Sequence, residues 1–116
     1  MNEAALPTIG VEQFQQVDVR VGRVLAVEEF PEARRPSYRL TLDFGPLGVR
    51  RSSAAIRPFY AKEELAGRLV VAVVNLPPRR VAGFVSEVLV LGAVDGEGRV
   101  RLLRPDEGAR PGDRVA

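Results

Sequence analysis

The chain has 116 residues, of which 46% are hydrophobic and 28% charged, and its formal net charge is +2. This composition is that of an ordinary globular domain and excludes disordered and collagen-like chains. Because the sequence has no cysteine and no histidine, it excludes disulfides, thiol catalysis and sites built on the commonest transition-metal ligand. A net charge this small gives little support to nucleic-acid binding by bulk charge, which would instead need local clusters of arginine.

The hydrophobic pattern predicts one domain rich in short strands. Residues 1–8 are predicted to be a tail, and residues 9–116 a single domain. Apolar positions at i,i+3 spacing predict a short helix over 11–16, and helix start and stop signals predict a second over 58–67. Gly22 is expected to mark a bulge or a bend in the first strand. Strands are predicted at 17–27, 38–44, 49–54, 69–75, 85–93, 100–103 and 114–115.

Five or six short strands, with a helix between the third and fourth, favour an all-β protein with a small closed or nearly closed barrel. This is the architecture of the oligonucleotide/oligosaccharide-binding (OB) fold. The run LVVAVV at 69–74 is apolar on both faces, whereas a small antiparallel barrel should be polar outside. Its outer face must be covered by a second subunit or by the chain's own helix and tails. Because so short a chain buries only about two-thirds of its surface, we favour a homodimer.

We expect no enzyme, no cofactor and no metal site. Glu28 and Glu29 are neighbours in sequence, as are two further glutamates of the second helix, and neighbouring side chains point apart on a strand or helix. Ser52 has no histidine to activate it, and a serine–lysine arrangement with Lys62 is the remaining alternative. The Gly-x-Gly at 96–98 opens no helix and so is not a phosphate-binding loop.

The sequence carries no visible targeting segment. Its start has an acidic residue and no basic one, unlike a signal peptide. The longest apolar run ends at Val74 and is far shorter than the about 20 residues that cross a membrane. We therefore expect a cytoplasmic protein without a membrane partner.

Two pairs of arginines are the best candidates for a binding site. Arg34 and Arg35 lie between two prolines, and Arg79 and Arg80 directly follow another two. Since proline restricts its own backbone and that of the preceding residue, these loops should hold their guanidinium groups in few conformations. Such groups can bind phosphates, carboxylates or peptide carbonyls. The alternative is an ordinary solvated, salt-bridged surface.

Large apolar side chains lie in the same loops, at Phe30, Pro77 and Phe84. If exposed beside the arginines, they would form an amphipathic groove that accepts extended polypeptide or stacks bases. The alternative is that Phe30 and Phe84 close the ends of the barrel.

Four motifs carry a resemblance that covers nearly the whole chain from about residue 11 onward. They are DVRVGRV at 18–24, FPEAR at 30–34, NLPPRRVAGF at 75–84 and SEVLVLGA at 86–93. In this order they resemble the tRNA-binding-domain family, and within it the stand-alone, dimeric branch of CsaA-type secretion chaperones. The resemblance implies an OB fold, a homodimer, and binding of unfolded or precursor proteins before export, with export machinery and tRNA as further partners.

The sequence departs from the tRNA-binding branch at three positions. That branch has an arginine where this chain has Ala82, and Gly-Met where it has Val88 and Leu89, whereas Asn75 and Ser86 are retained. These departures favour polypeptide binding over a tRNA-binding module, and a plain assembly scaffold is the third alternative. The predicted binding residues are Phe30, Arg34, Arg35, Ser52, Asn75, Pro77, Arg79, Arg80, Phe84 and Ser86.

Overall fold

Short strands build most of the part of the chain that this computed structural model describes, residues 4–116. The first three residues of the predicted tail lie outside that range. The helical elements are α1 (Val11–Gln15), a 3-10 turn (Gly45–Leu47) and α2 (Lys62–Leu65). The strands are β1 (Val19–Glu29), β2 (Tyr38–Asp43), β3 (Val49–Ala54), β4 (Leu69–Val73), β5 (Arg79–Val81), β6 (Phe84–Ser86), β7 (Leu89–Val90), β8 (Gly92–Val94), β9 (Val100–Leu102) and β10 (Arg114–Val115).

The main sheet within residues 4–116 has six strands, in the order β3-β2-β1-β4-β7, with β10 pairing to β1. Its pairs are antiparallel. The two ends of this sheet meet, because β3 packs against both β6 and β7. The result is a nearly closed barrel with only short helices, and the predicted OB fold is confirmed.

A few backbone and side-chain hydrogen bonds, in place of a continuous ladder, close the barrel between β3 and the segment 86–88. The amide of Glu87 donates to the carbonyl of Arg51 (2.8 Å), and the amide of Arg51 donates to Oε1 of Glu87 (2.9 Å). One step along, the amide of Ser53 donates to Oγ of Ser86 (3.1 Å). The single strand predicted over 85–93 is therefore wrong, because the chain leaves the ladder at Glu87 to bond β3.

The barrel core confirms the alternation predicted for β2. Tyr38, Leu40, Leu42 and Phe44 are all buried in the main core cluster. Gly22 gives the ring of Phe44 its room, since a Cβ there would lie 2.7 Å from Cε1 of that ring. The bulge or bend expected at this glycine lies further along β1, where the register with β2 shifts between Val24 and Ala26.

The chain itself covers the outer face of β4. Val71 and Val73 lie on that face and pack with Val19, and the partly buried Leu91 and Val115 complete the cluster. Expecting a subunit interface at these valines was therefore wrong. Coverage by the chain's own tail, the other alternative, is what the structure has.

The second helix is shorter than predicted. Only Lys62–Leu65 is α-helical, because the preceding residues 56–60 form a turn in which the carbonyl of Ile56 accepts from Phe59 and Tyr60. The hydroxyl of Tyr60 then accepts from the amide of Leu102 (2.8 Å). This bond ties the turn to β9 and holds it out of the helix.

The Glu87 carboxylate predicts a measurable effect on stability. Replacing Glu87 by Ala removes the acceptor for the Arg51 amide and should lower the free energy of unfolding by about 1–2 kcal/mol. Glu87→Gln keeps an oxygen acceptor and should cost about half as much or less. Urea unfolding followed by circular dichroism measures both variants. Equal losses for the two would contradict this role for the side chain.

Candidate functional site

A cavity of about 970 Å³, here called the groove, lies beside both pairs of predicted arginines. The connection from β1 to β2 contributes Arg34 and Arg35, and β5 contributes Arg79 and Arg80. These two segments are more than 40 residues apart in sequence, and barrel closure brings them to one surface. In OB folds, the loops between strands at this end of the barrel are the usual ligand-binding elements.

Aliphatic side chains make up much of the groove wall. Leu89 and Val94 are 51% and 60% exposed, and half-buried Val100 and Phe59 lie beside them. These residues were not predicted as site candidates, because Leu89 was assigned to a continuous strand and Phe59 to a helix. The run VLVL at 88–91, which is apolar on both faces, is the sequence signal that could have indicated them.

Among the described residues, no acidic side chain pairs with the four groove arginines. Over residues 4–116, no ion pair involves Arg34, Arg35, Arg79 or Arg80, and all four are exposed. Glu32 is the one acidic residue among the residues that line the groove.

Some arginines elsewhere in the chain do have acidic partners. Arg20 pairs with Asp18 at 2.6 Å, and Arg99 pairs with Asp95 at 2.8 Å. The carboxylate of Asp95 accepts hydrogen bonds from the side chain and the backbone of Arg99 and from the backbone of Glu97. These bonds lower the pKa of Asp95 to about 2. Other arginines outside the groove likewise form no ion pair over residues 4–116: Arg23, Arg39, Arg50, Arg68, Arg104, Arg110 and Arg114. What distinguishes the groove is that four such arginines line it together.

The segment 79–86 is a β-hairpin where the sequence predicted a loop. Arg79 pairs with Ser86 and Arg80 with Val85, so the ladder fixes the backbone of both arginines. The turn places Ala82 at φ 45° and Gly83 at φ 83°, the conformation of a type I′ turn. Positive φ is strained for an alanine. It occurs here because a two-residue turn of this type requires positive φ at both of its central residues.

Phe30 and Phe84 are not exposed contact surfaces, and the prediction that they supply apolar contact to a ligand is wrong. The two side chains are only 3% and 8% exposed, and their rings meet edge to face with centroids 5.5 Å apart. The guanidinium of Arg39 lies 5.0 Å from the Phe30 ring, and that of Arg51 lies 4.6 Å from the Phe84 ring. The rings close the barrel end, as the alternative had it, and they join the arginine loop to the hairpin.

Asn75 has a structural position away from the groove. Its Oδ1 accepts from the amide of Asp18 (2.9 Å), and its Nδ2 donates to the carbonyl of Gln16 (2.7 Å). The side chain therefore fastens the segment after α1 to the end of β4.

The two predicted serines and Pro77 also lie outside the groove lining. The hydroxyl of Ser52 is fully buried and donates to the carbonyl of Val88 (3.1 Å), and Ser86 lies against it with the Oγ atoms 3.5 Å apart. Ser52 and Ser86 thus stabilise barrel closure. Pro77 is exposed on the segment that enters β5 and is not among the residues that line the groove.

Two further features of the structure concern metal binding and membrane spanning. In the described range 4–116, no three acidic side chains lie together in a way that could hold a metal ion. Likewise, no helix among those residues is long and apolar enough to cross a membrane.

Comparison with known proteins connects this geometry to a family. The family model "Putative tRNA binding domain" matches residues 19–114. The methionine–tRNA ligase 1 of Sorangium cellulosum is 42% identical over 113 residues, which are 97% of this chain and 16% of that protein. The methionine–tRNA ligase of Nitrosospira multiformis is 44% identical over 113 residues, 97% of this chain and 15% of that one. The chain thus spans about one sixth of the length of these curated relatives.

Solved structures of about the same length are also similar. The chaperone CsaA of Bacillus anthracis has a TM-score of 0.90 and 49% identity, covering 95% of this chain and all of that one (100%). The CsaA chaperone protein of Picrophilus torridus has a TM-score of 0.87 and 46% identity, with coverage of 94% and 100%. Because the family model spans most of the chain and the fold agrees with CsaA chaperone structures, the chain belongs to the tRNA-binding-domain family.

Proposed function

We propose that the protein is a non-enzymatic, homodimeric chaperone that binds unfolded or precursor polypeptides in the cytoplasm and assists their export. The single observation that carries this proposal is the groove, which combines an exposed aliphatic wall with unpaired arginines. The similarity to CsaA chaperone structures supports it.

The chemistry of the groove wall favours polypeptide over nucleic acid. Proteins that bind single strands stack successive bases on exposed aromatic side chains. Here Phe59 is the aromatic residue that lines the groove, and it is half-buried, while Phe30 and Phe84 pack on each other. Aliphatic side chains such as Leu89 instead suit the apolar residues of an extended polypeptide, which also offers carbonyls to arginine.

We expect the wild-type protein, in several-fold excess, to suppress the aggregation of a chemically denatured client enzyme, measured by light scattering. Leu89→Ser removes exposed apolar surface from the groove wall and should weaken client binding about tenfold. The matched control is Leu25→Ser, because Leu25 is also 51% exposed but lies on β1 outside the groove.

Two results would contradict the chaperone proposal. One is a wild-type protein that leaves aggregation unchanged at several-fold excess. The other is an equal loss of suppression in the Leu89→Ser and Leu25→Ser variants, which would mean that the groove has no special part in binding.

A tRNA-binding module is the second candidate, and the family match favours it. The unpaired guanidinium groups of Arg79 and Arg80 would then bind phosphates. Micromolar or tighter retention of tRNA in a gel shift would support this function in place of the first. The binding constant should then fall by about 0.7–0.9 log units per log unit of salt for each phosphate contacted.

The proposed dimer needs an apolar surface other than the outer face of β4, which the chain covers itself. The N-terminal segment is the best candidate, because α1 has no buried residue. Leu6, Ile9, Val11 and Phe14 are all exposed there. A single subunit leaves this apolar surface in water, and a second copy of the chain would bury it on both partners.

Analytical ultracentrifugation tests the dimer. The wild-type chain should sediment as a dimer at micromolar concentration, and Val11→Ser with Phe14→Ser should sediment as a monomer because burial of two large apolar side chains is lost. The control pair is Leu25→Ser with Val49→Ser, which changes exposed apolar residues on the barrel and should remain dimeric. A monomeric wild-type protein would contradict the proposal.

A further inference from the structure

The groove carries a surplus of positive charge that the rest of the molecule does not. Arg34, Arg35, Arg79 and Arg80 line it together with a single acidic residue, Glu32. The net balance of the lining residues is therefore strongly positive, although the whole chain has a formal net charge of only +2.

The chain uses many of its carboxylates on other arginines. Glu28 binds Arg51 (3.1 Å) and Glu29 binds Arg57 (3.3 Å), both on the barrel surface. Glu29 also binds the single lysine, Lys62 (3.3 Å). These carboxylates are committed to other cations, and over residues 4–116 the guanidinium groups of the groove form no ion pair with them.

The arginines that line the groove carry like charge, and a ligand that brings carboxylates gains electrostatic attraction there. Arginine matches carboxylate geometry because its planar fork donates two parallel hydrogen bonds. The ladder between β5 and β6 holds the backbone of Arg79 and Arg80 in place, so the ordering entropy lost there on binding is mainly that of the side chains. A client segment rich in lysine or arginine would meet repulsion at the same rim.

The aliphatic wall of the groove places a second requirement on the ligand. Successive side chains of an extended polypeptide point to opposite sides and repeat every two residues. One set can therefore contact the aliphatic surface formed by Leu89 and Val94, while the other set reaches the arginine rim. A ligand that alternates apolar and acidic residues satisfies both surfaces at once.

We infer that the groove selects extended polypeptide segments in which acidic side chains flank apolar ones, and that it discriminates against basic segments. This inference rests on the proposed polypeptide-binding function and names the class of client segment that the same site prefers.

The test compares three peptides of about twelve residues, which span about 40 Å when extended. All share the same leucines and valines at alternate positions, and the positions between them are Glu, Gln or Lys. Fluorescence anisotropy with the full-length protein should give a dissociation constant at least about tenfold lower for the Glu peptide than for the Lys peptide, with the Gln peptide between. Raising the salt concentration should reduce this difference.

A matched pair of variants assigns the preference to the groove. Arg79→Gln with Arg80→Gln should reduce the Glu-to-Lys ratio to about threefold or less, while the Gln peptide still binds the aliphatic wall. The control, Arg104→Gln with Arg110→Gln, changes net charge equally at two exposed arginines outside the groove, and its ratio should stay at the wild-type value.

The outcomes separate this inference from the proposed function. If the three peptides bind alike, or if the Lys peptide binds best, the inference is wrong while polypeptide binding stands. If none of the three binds, the proposed function itself fails. Tighter binding of tRNA than of the Glu peptide would overturn the inference in favour of a phosphate ligand.

Discussion

The edge-to-face contact between Phe30 and Phe84 is the interaction on which the rest of the site depends. Phe30 begins the connection that carries the first arginine pair, and Phe84 follows the turn after the second pair, so a ring distance of 5.5 Å joins the two segments. Arg39 and Arg51 lie over the rings and shield them from water. Such pairs add about 0.5–1.5 kcal/mol beyond apolar burial. A single buried contact thus holds two distant arginine segments at one groove.

The distribution of ion pairs then gives the groove its chemical character. Exposed pairs such as Arg51 with Glu28 contribute little to stability, but they determine which guanidinium groups remain available to a ligand. The carboxylate of Glu87 is also engaged within the barrel, because it accepts a hydrogen bond from the backbone amide of Arg51 and takes part in barrel closure. Four of the arginines without acidic partners in the described residues line one groove beside an aliphatic wall, and this combination suits a ligand that is both anionic and apolar.

Local sequence patterns predicted the secondary-structure elements, whereas contacts between residues distant in sequence determine the roles of individual side chains. The alternation in 38–44 predicted β2 correctly, because its period alone fixes which side chains face the core. The prolines predicted two conformationally restricted loops, but the second arginine segment is held by a β-hairpin ladder that the local sequence did not indicate. The structural role of Asn75 was not predictable, since its partner Asp18 lies 57 residues away. The apolar run in β4 likewise indicated that its outer face was covered, but only the fold shows that Val115 belongs to the cover.

Nuclear magnetic resonance mapping of an unfolded polypeptide onto the ¹⁵N-labelled protein tests the central claim most directly. Residues 34–35, 79–82 and 89–91 line the groove, and their amide signals should shift together with one dissociation constant as polypeptide is added. Amides around Leu25 lie outside the groove and should not move. Shifts confined to the N-terminal segment or to the outer face of β1, with the groove amides unchanged, would contradict the claim that the paired arginine segments form the binding site.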